Sequence, residues 1–242
     1  MKRTVKRVLS SVLPASAMGA VLGIWRRCYW RQRRRIPRGA NRRCVAALLA
    51  GKRPILLELG SARRPGMEDW VFSDINGGGD LRLELTEPLP FPDGSVTRIY
   101  LSHVLEHFSY PHPMLDLLRE CHRMLLHGGT IDVAVPDTRI FVEAYLHPDG
   151  FDREVRCAYD VGLDYRAPVD YLNFIAYMGG DHRHLFDAQN LPLVLAAAGF
   201  SRVRLRDFDP ALDLAVRRDE SVYASAEKGP RAGGADARGS GW

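Results

Sequence analysis

Residues 54–228 contain short apolar runs that alternate with segments of helical periodicity. A short apolar run bounded by turn residues is typical of a buried strand, and apolar residues spaced three and four apart are typical of an amphipathic helix. The pattern predicts strands at residues 55–59, 71–75, 81–85, 98–102, 130–135, 203–208 and 221–227. It predicts helices at residues 114–126, over most of 138–178 and at 188–198.

This alternation predicts an α/β fold, namely a Rossmann-like, doubly wound, mostly parallel seven-stranded sheet that ends in an antiparallel strand. Ligands of such sheets bind outside the carboxyl ends of the strands, so the residues that directly follow each strand are the candidates for chemistry. We expect the domain to span residues 54–228, with a helical insert on the substrate side at residues 138–187. The Gly-, Ala- and Arg-rich tail at residues 229–242 is expected to be disordered.

Charge is distributed unevenly along the chain. Residues 1–53 form a basic arm that holds 15 of the 34 Lys and Arg residues and no acidic residue. An uncharged stretch at residues 8–25 has basic residues on both sides. Trp25 ends this stretch, and Tyr29 and Trp30 follow closely. This composition favours a peripheral contact of residues 1–35 with an anionic membrane surface. A helix packed on the body, a cleaved signal segment and a membrane span are the alternatives, and nucleic acid is a weaker candidate partner.

The cysteines do not form a metal-binding or disulfide pattern. Cys28, Cys44, Cys121 and Cys157 are far apart in the sequence and include no C-x-x-C pair. Such spacing is typical of reduced thiols in a cytoplasmic protein. The prediction is therefore a cytoplasmic protein, held peripherally at the inner membrane.

Acidic and small residues follow the first two predicted strands. Glu58 precedes Gly60 by two positions, and a glycine at a strand end allows the backbone to approach a ligand closely. Asp74 ends the second strand, where a carboxylate typically accepts hydrogen bonds from ribose hydroxyls. The G-x-G-x-x-G pattern of dinucleotide dehydrogenases is absent, because Ala62 and Pro65 replace its second and third glycines. The residues therefore argue against a hydride-transferring dehydrogenase, while Asp74 still indicates a ligand that contains a ribose.

Three segments carry a family resemblance. The segment ELTEPLPFPDGSVTRIYLSHVLEH, from Glu84 to His107, resembles a stretch typical of bacterial class I S-adenosylmethionine (SAM) dependent methyltransferases. The segments RECHRMLLHGGTIDVAVPD and HRHLFDAQNLPLVLAAAGFSRV resemble later parts of the same family. The resemblance covers roughly residues 54–228 and implies methyl transfer with SAM as the cofactor.

The resemblance also implies roles for individual residues. The loop of Glu58, Gly60, Ser61 and Ala62 would lie under the methionine part of SAM, and Asp74 would bind the ribose. Glu84 and Leu85 would lie beside the adenine, and Ser102 and His103 would flank the sulfonium. Pro136 and Asp137 would line the acceptor side. The family usually has a second glycine where Ala62 stands, and Arg63 and Arg64 follow it here. A non-catalytic binding or scaffold protein that has lost SAM is therefore the alternative.

A hydroxyl acceptor requires a base, and several candidates follow the strands. His103 and Asp137 are the predicted catalytic residues, with His107, His182 and His184 as further candidates. The run from His103 to His107 also matches H-x-x-E-H, a zinc signature that requires both histidines on one helical face. Because His103 ends a predicted strand, no metal is predicted. The expected acceptor is a sugar hydroxyl of a surface glycan or of its precursor.

Overall fold

The computed structural model describes residues 36–157, 159 and 161–229. Six strands form one sheet in the order β2-β1-β3-β4-β6-β5. Their bounds are β1 Leu56–Leu59, β2 Trp70–Ser73, β3 Val96–Ser102, β4 Leu125–Pro136, β5 Ser201–Arg206 and β6 Ser221–Glu227. The pairs β1–β2, β1–β3 and β3–β4 are parallel, and β6 is antiparallel to both β4 and β5. The predicted α/β fold with a mostly parallel sheet and an antiparallel closing strand is confirmed.

The sheet has six strands, not the predicted seven, because the segment at residues 81–85 contributes only an isolated bridge between Ser73 and Leu81. Both backbone groups of Arg82 are engaged by the side chain of Asn41. The Asn41 amide donates to the Arg82 carbonyl at 2.7 Å, and the Arg82 N–H donates to Asn41 Oδ1 at 3.2 Å. The ladder therefore stops after one residue, although Leu81 and Leu83 are buried as expected.

The helices flank the sheet and form the insert. Their bounds are α1 Arg38–Ala50, α2 Met114–Met124, α3 Thr138–Leu146, α4 Arg153–Arg156, α5 Val169–Tyr177 and α6 Asn190–Ala197. Helix α1 lies in the segment treated as the basic arm, and it buries Val45 in the main core. The predicted membrane contact at residues 1–35 lies outside the described residues. Among the residues that the structure describes, no helix is long and apolar enough to cross a membrane.

The two faces of the sheet are covered differently. One face packs against α1, α2 and α6 in the main core, which includes Val45, Leu118 and Leu195. On the other face, Tyr100, Ala134, Leu212 and Tyr223 form a smaller cluster that contains no residue of a described helix. The segment between β5 and β6 supplies Leu212 to this cluster. That segment therefore reaches back across the sheet towards the end of β3, which matters for the site below.

Candidate active site at the carboxyl edge of the sheet

The register of the parallel strands brings three predicted site residues to one edge. Leu59 pairs with Ser73 on β2 and with Leu101 on β3. Gly60, Asp74 and Ser102 each directly follow one of these paired residues, so they lie side by side at the carboxyl ends of β1, β2 and β3. The prediction that residues directly after these strands lie together agrees with this register.

Gly60 makes the turn out of β1. Its φ of +83° lies in the left-handed region, and a Cβ at this position would lie 2.6 Å from Val104 Cγ2. The N–H groups of Gly60 and Ser61 both donate to the Ser73 carbonyl, at 2.7 and 2.9 Å. The loop is therefore folded tightly across the end of β2, and glycine is required at its first position.

Ala62 differs from Gly60 in its backbone conformation. Gly60 has a positive φ, whereas Ala62 does not. The Ala62 side chain is exposed, and its Cβ lies 3.1 Å from the position that a Cβ on Gly78 would take. The methyl group at position 62 is therefore accommodated without backbone strain.

Glu58 is fully buried beneath this loop and pairs with an arginine that the sequence did not single out for a role. Arg64 Nε donates to Glu58 Oε2 at 2.9 Å, and Arg64 Nη1 donates to the Leu212 carbonyl at 2.9 Å. Burial raises the pKa of Glu58, and the Arg64 guanidinium opposes this rise. The second oxygen, Glu58 Oε1, is buried and has no hydrogen-bond partner among the described residues. A buried acceptor without a partner is costly, so it is a candidate contact for a cationic ligand group.

Two further predicted carboxylates, Asp74 and Glu84, are held by local hydrogen bonds. Asp74 Oδ1 accepts the N–H of Asn76 at 2.6 Å, which holds the carboxylate at the end of β2. Glu84 Oε1 accepts from the hydroxyl of Thr86 at 2.9 Å. Leu85 is partly buried against the main core. Glu84 also lines a groove of about 360 Å³ beside α1, which borders the segment at residues 83–90.

A second unpredicted arginine lies at the end of β3. Arg217 Nη1 donates to both the carbonyl and the hydroxyl of Ser102, at 2.8 and 2.9 Å. Arg217 comes from the segment between β5 and β6, which is 115 residues away in the chain. No local sequence pattern indicates such a contact, because it depends on the path of that segment over the sheet.

His103 is mostly buried, with 12% of its side chain exposed. Its φ is +52°, and its Nε2 shares a hydrogen bond of 2.7 Å with the Ser221 hydroxyl. Its Nδ1 lies 4.0 Å from a carboxylate oxygen of Glu106 and 4.0 Å from one of Glu220. Burial lowers the pKa of His103 to about 2, and the nearby positive charge of Arg217 adds to this effect. A group with this pKa is a weak proton acceptor, so the catalytic role of His103 remains a prediction.

A cavity of about 230 Å³ opens beside His103, on the side of the insert. Phe141, Phe174 and Ile175 form an apolar part of its wall, and Arg156 and Glu220 supply charge. Asp137 does not line this cavity. Its carboxylate accepts the Arg139 N–H at 2.9 Å as the N-cap of α3.

Asp137 lies instead along the groove beside β5 and β6. The structure therefore does not bring the two predicted catalytic residues, His103 and Asp137, into one cavity.

The H-x-x-E-H segment does not form the predicted alternative, a helical zinc signature. His103 leaves β3 in a left-handed conformation, and only Leu105–His107 form a short 3₁₀ turn. Glu106 is buried, and burial raises its pKa to about 8. His107 lies instead against His182, with the ring centroids 5.2 Å apart. His184 lies between Tyr110 and Phe186, where burial lowers its pKa.

The residues at this edge fit SAM. Gly60 provides a positive-φ turn that folds the loop tightly across the end of β2, and the partnerless Glu58 Oε1 is a suitable acceptor for the ammonium of the methionine part. Asp74 stands at the strand end where a ribose is expected. Arg64 and Arg217 lie beside the same loop and could bind the carboxylate of the methionine part.

Comparisons with solved structures give similar chains at low identity. The chain is 16% identical to a SAM-dependent methyltransferase from Archaeoglobus fulgidus, with 77% of this chain and 94% of that chain covered and a TM-score of 0.46. For a possible histamine N-methyltransferase from Thermotoga maritima the identity is 15%, the coverages are 86% and 95%, and the TM-score is 0.46. The CurJ carbon methyltransferase is 16% identical, with 74% of this chain and 50% of that chain covered and a TM-score of 0.43. This chain therefore spans half the length of that one. Curated protein sequences give no match.

The family comparison is more specific. The model of a family described as a methyltransferase domain matches residues 65–132. The matched residues run from the loop after β1 into β4, so they include Asp74, Glu84, Ser102 and His103. Over this segment the match confirms the predicted resemblance to a methyltransferase domain.

Proposed function

We propose that this chain transfers the methyl group of SAM to an acceptor bound in the cavity beside His103. The observation that carries the proposal is the row of Gly60, Asp74 and Ser102 at the carboxyl edge, above the partnerless oxygen of Glu58. The family match over residues 65–132 supports the same activity.

The reaction requires mainly positioning. SAM supplies a methyl group that is already activated on a sulfonium, so an in-line displacement needs the donor and acceptor held in contact. Asp74 holds the ribose end of the donor, and Gly60 and Ser61 let the backbone pass close to its methionine part. Ser102 and His103 end β3 between this loop and the cavity, so the acceptor approaches from the side of the insert.

A sugar hydroxyl is the proposed acceptor. The cavity combines an apolar wall from Phe141 and Phe174 with the carboxylate of Glu220 and the guanidinium of Arg156. Such a mixture suits a sugar ring, which presents apolar faces and hydroxyls that need hydrogen-bond partners. The volume of about 230 Å³ restricts the inserted part to a small group, such as one ring of a glycan or of its precursor.

One observation favours a second candidate, a scaffold that does not bind SAM. Arg64 already occupies one oxygen of Glu58, and Arg217 already occupies Ser102. If these contacts persist in solution, the arginines fill space that the cofactor needs. Binding of the cofactor therefore separates the two candidates.

The test is calorimetric titration of SAM and S-adenosylhomocysteine into the full chain and into Asp74→Ala. Asp164→Ala is a matched control, because that carboxylate is 71% exposed and pairs with Arg166 at the surface. We expect saturable binding to the wild type and the control, weakened at least about tenfold in Asp74→Ala because a charged hydrogen bond is lost. Absence of binding to folded wild-type protein would support the scaffold instead.

We further propose a peripheral contact of residues 1–35 with the inner membrane surface. Its support is the basic and aromatic composition of that segment. Full-length protein should co-sediment with anionic vesicles, less with neutral ones, and less at high salt. Replacing Arg33–Arg35 with serine should weaken this binding, and equal binding to both vesicle types would contradict the proposal.

A further inference from the structure

Three potential metal ligands converge at the mouth of the proposed acceptor cavity. One ligand atom from each of Glu106, His107 and His182 lies within 4.8 Å of the other two. All three residues line the cavity of about 230 Å³ beside His103. Neighbouring residues 106 and 107 meet a histidine that is 75 positions further along the chain.

Backbone hydrogen bonds hold this arrangement together. The Glu106 carbonyl accepts the N–H of Arg183 at 2.7 Å and that of His184 at 3.2 Å. The segment that carries His182 is thereby tied to the 3₁₀ turn that carries Glu106 and His107. The backbone therefore brings the three residues close together.

Both imidazoles are oriented as metal ligands are. His182 Nδ1 donates to the Ile175 carbonyl at 2.6 Å, and His107 Nδ1 donates to the Asp181 carbonyl at 3.1 Å. A carbonyl only accepts, so the proton is on Nδ1 in both rings and each Nε2 keeps its lone pair. Histidine ligands of metals commonly make such a bond with the other ring nitrogen, which fixes the tautomer and the direction of the lone pair.

The Glu106 carboxylate is buried and incompletely satisfied. Only 2% of Glu106 is exposed, and Oε2 has no hydrogen-bond partner among the described residues. Its Oε1 lies 3.8 Å from His107 Nε2, which is too long for a hydrogen bond. A cation bound among these three ligand atoms would give the buried carboxylate a partner and would accept the lone pairs of the two imidazoles.

We propose that Glu106, His107 and His182 bind a first-row divalent transition metal, with zinc as the representative ion. Two imidazoles and one carboxylate are the ligand set of many catalytic zinc sites and of other first-row metal sites, and magnesium and calcium prefer oxygen ligands alone. Three protein ligands leave at least one coordination position open.

The surrounding charges are compatible with a cation. Arg217 and Arg156 both line the cavity, but Ser102 holds the Arg217 guanidinium at the end of β3, and Arg156 Nη1 donates to the Asp219 carbonyl. Glu220 lines the same cavity and adds a negative charge. His103 Nε2 is engaged with the Ser221 hydroxyl at 2.7 Å.

The open coordination position gives the metal a place in the proposed reaction. This part rests on the proposed methyl transfer: an acceptor oxygen bound to the metal would be fixed in the cavity beside His103. A metal also makes a bound hydroxyl more acidic, which would help a site whose predicted base is a weak one.

The test is titration of zinc and cobalt into metal-free full-length protein at neutral pH. We expect one site per chain and, for cobalt, visible absorption bands that report the coordination of the ion. Glu106→Gln and His182→Ala should each weaken binding by at least the roughly 10- to 100-fold that loss of an outer-shell partner costs. His112→Ala is the matched control, because His112 is exposed and pairs with Asp116 at the surface; it should bind like the wild type.

SAM titration of the same samples separates this inference from the proposed function. SAM binding without saturable metal binding would overturn the metal site alone, and metal binding without SAM binding would overturn the methyl transfer alone. Metal binding that persists in a protein carrying both Glu106→Gln and His182→Ala would also overturn the site. Because Glu106→Gln keeps the size of the side chain, its SAM affinity and melting temperature verify that the variant is folded.

Discussion

The buried pair of Glu58 and Arg64 provides a prediction that is worked out from its geometry. Glu58 is fully buried, the Arg64 side chain is 13% exposed, and Arg64 Nε donates to Glu58 Oε2 at 2.9 Å. Arg64→Ala would leave the carboxylate buried without its partner, a change that typically costs about 3–5 kcal/mol. We expect the lower value, about 3 kcal/mol at neutral pH, because Glu58 can take up a proton.

The pH dependence of this loss has a definite sign. Burial already raises the pKa of Glu58 above its ordinary value of 4.5, and Arg64 opposes that rise. Without Arg64 the folded-state pKa rises further, so the folded variant retains a proton that the unfolded chain releases. The lost stability is then largest at neutral pH and disappears below about pH 4.5, where the carboxyl is protonated in both states.

Urea unfolding at neutral pH and at pH 4 measures this difference. For a chain of this size, a loss of about 3 kcal/mol corresponds to a decrease in melting temperature of about 6–12 °C. Arg63→Ala is the matched control, because the Arg63 side chain is 62% exposed, and its loss should cost less than about 1 kcal/mol. Equal stability of the Arg64 and Arg63 variants, or a loss that does not depend on pH, would refute the buried pair.

Further predictions concern the glycine turn and the second face of the sheet. Gly60→Ala should destabilise the fold by more than Gly66→Ala in thermal unfolding. Both positions have a positive φ, so a side chain at either position costs about 1–2 kcal/mol of backbone strain. A Cβ at position 60 would in addition lie 2.6 Å from Val104 Cγ2, whereas a Cβ at position 66 has no neighbour within 4 Å. Equal losses would contradict the close packing. Asp213→Asn should cost less in urea unfolding than the roughly 3–5 kcal/mol of breaking an isolated buried pair, because Arg206 loses Asp213 but keeps Asp132 at 3.2 Å. Burial would raise the pKa of Asp213, but hydrogen bonds, first that from Arg206, lower this pKa overall. The stability that ionised Asp213 contributes is therefore lost as the pH falls below 3.8. The Asn variant should not show this loss at low pH.

Local sequence signals predicted the six strands of the sheet, together with a seventh that forms only an isolated bridge, and they placed the first candidate site residues at the carboxyl edge. Buried apolar runs such as Leu56–Leu59 are local signals, and the residue after each run has a fixed place at the carboxyl edge. Asp74 and Gly60 could therefore be identified before the structure. Helix α1 was missed, because it buries only Asn41 and Val45 and has little apolar periodicity.

The remaining site residues depend on long-range contacts. Arg217 reaches Ser102 only because the segment between β5 and β6 folds back over the face of the sheet that carries Tyr100 and Tyr223. His182 meets Glu106 because of backbone bonds from the neighbouring Arg183 and His184. Neither contact has a sequence pattern, since nothing in the spacing of these residues specifies the path of the chain between them.

A crystal structure with S-adenosylhomocysteine tests the central claim most directly. We predict that the ribose hydroxyls lie within hydrogen-bond distance of the Asp74 carboxylate, that the ammonium faces Glu58 Oε1, and that the sulfur points towards the cavity beside His103. A ligand bound elsewhere, or an edge in which Arg64 and Arg217 keep their present contacts and exclude the ligand, would contradict the account.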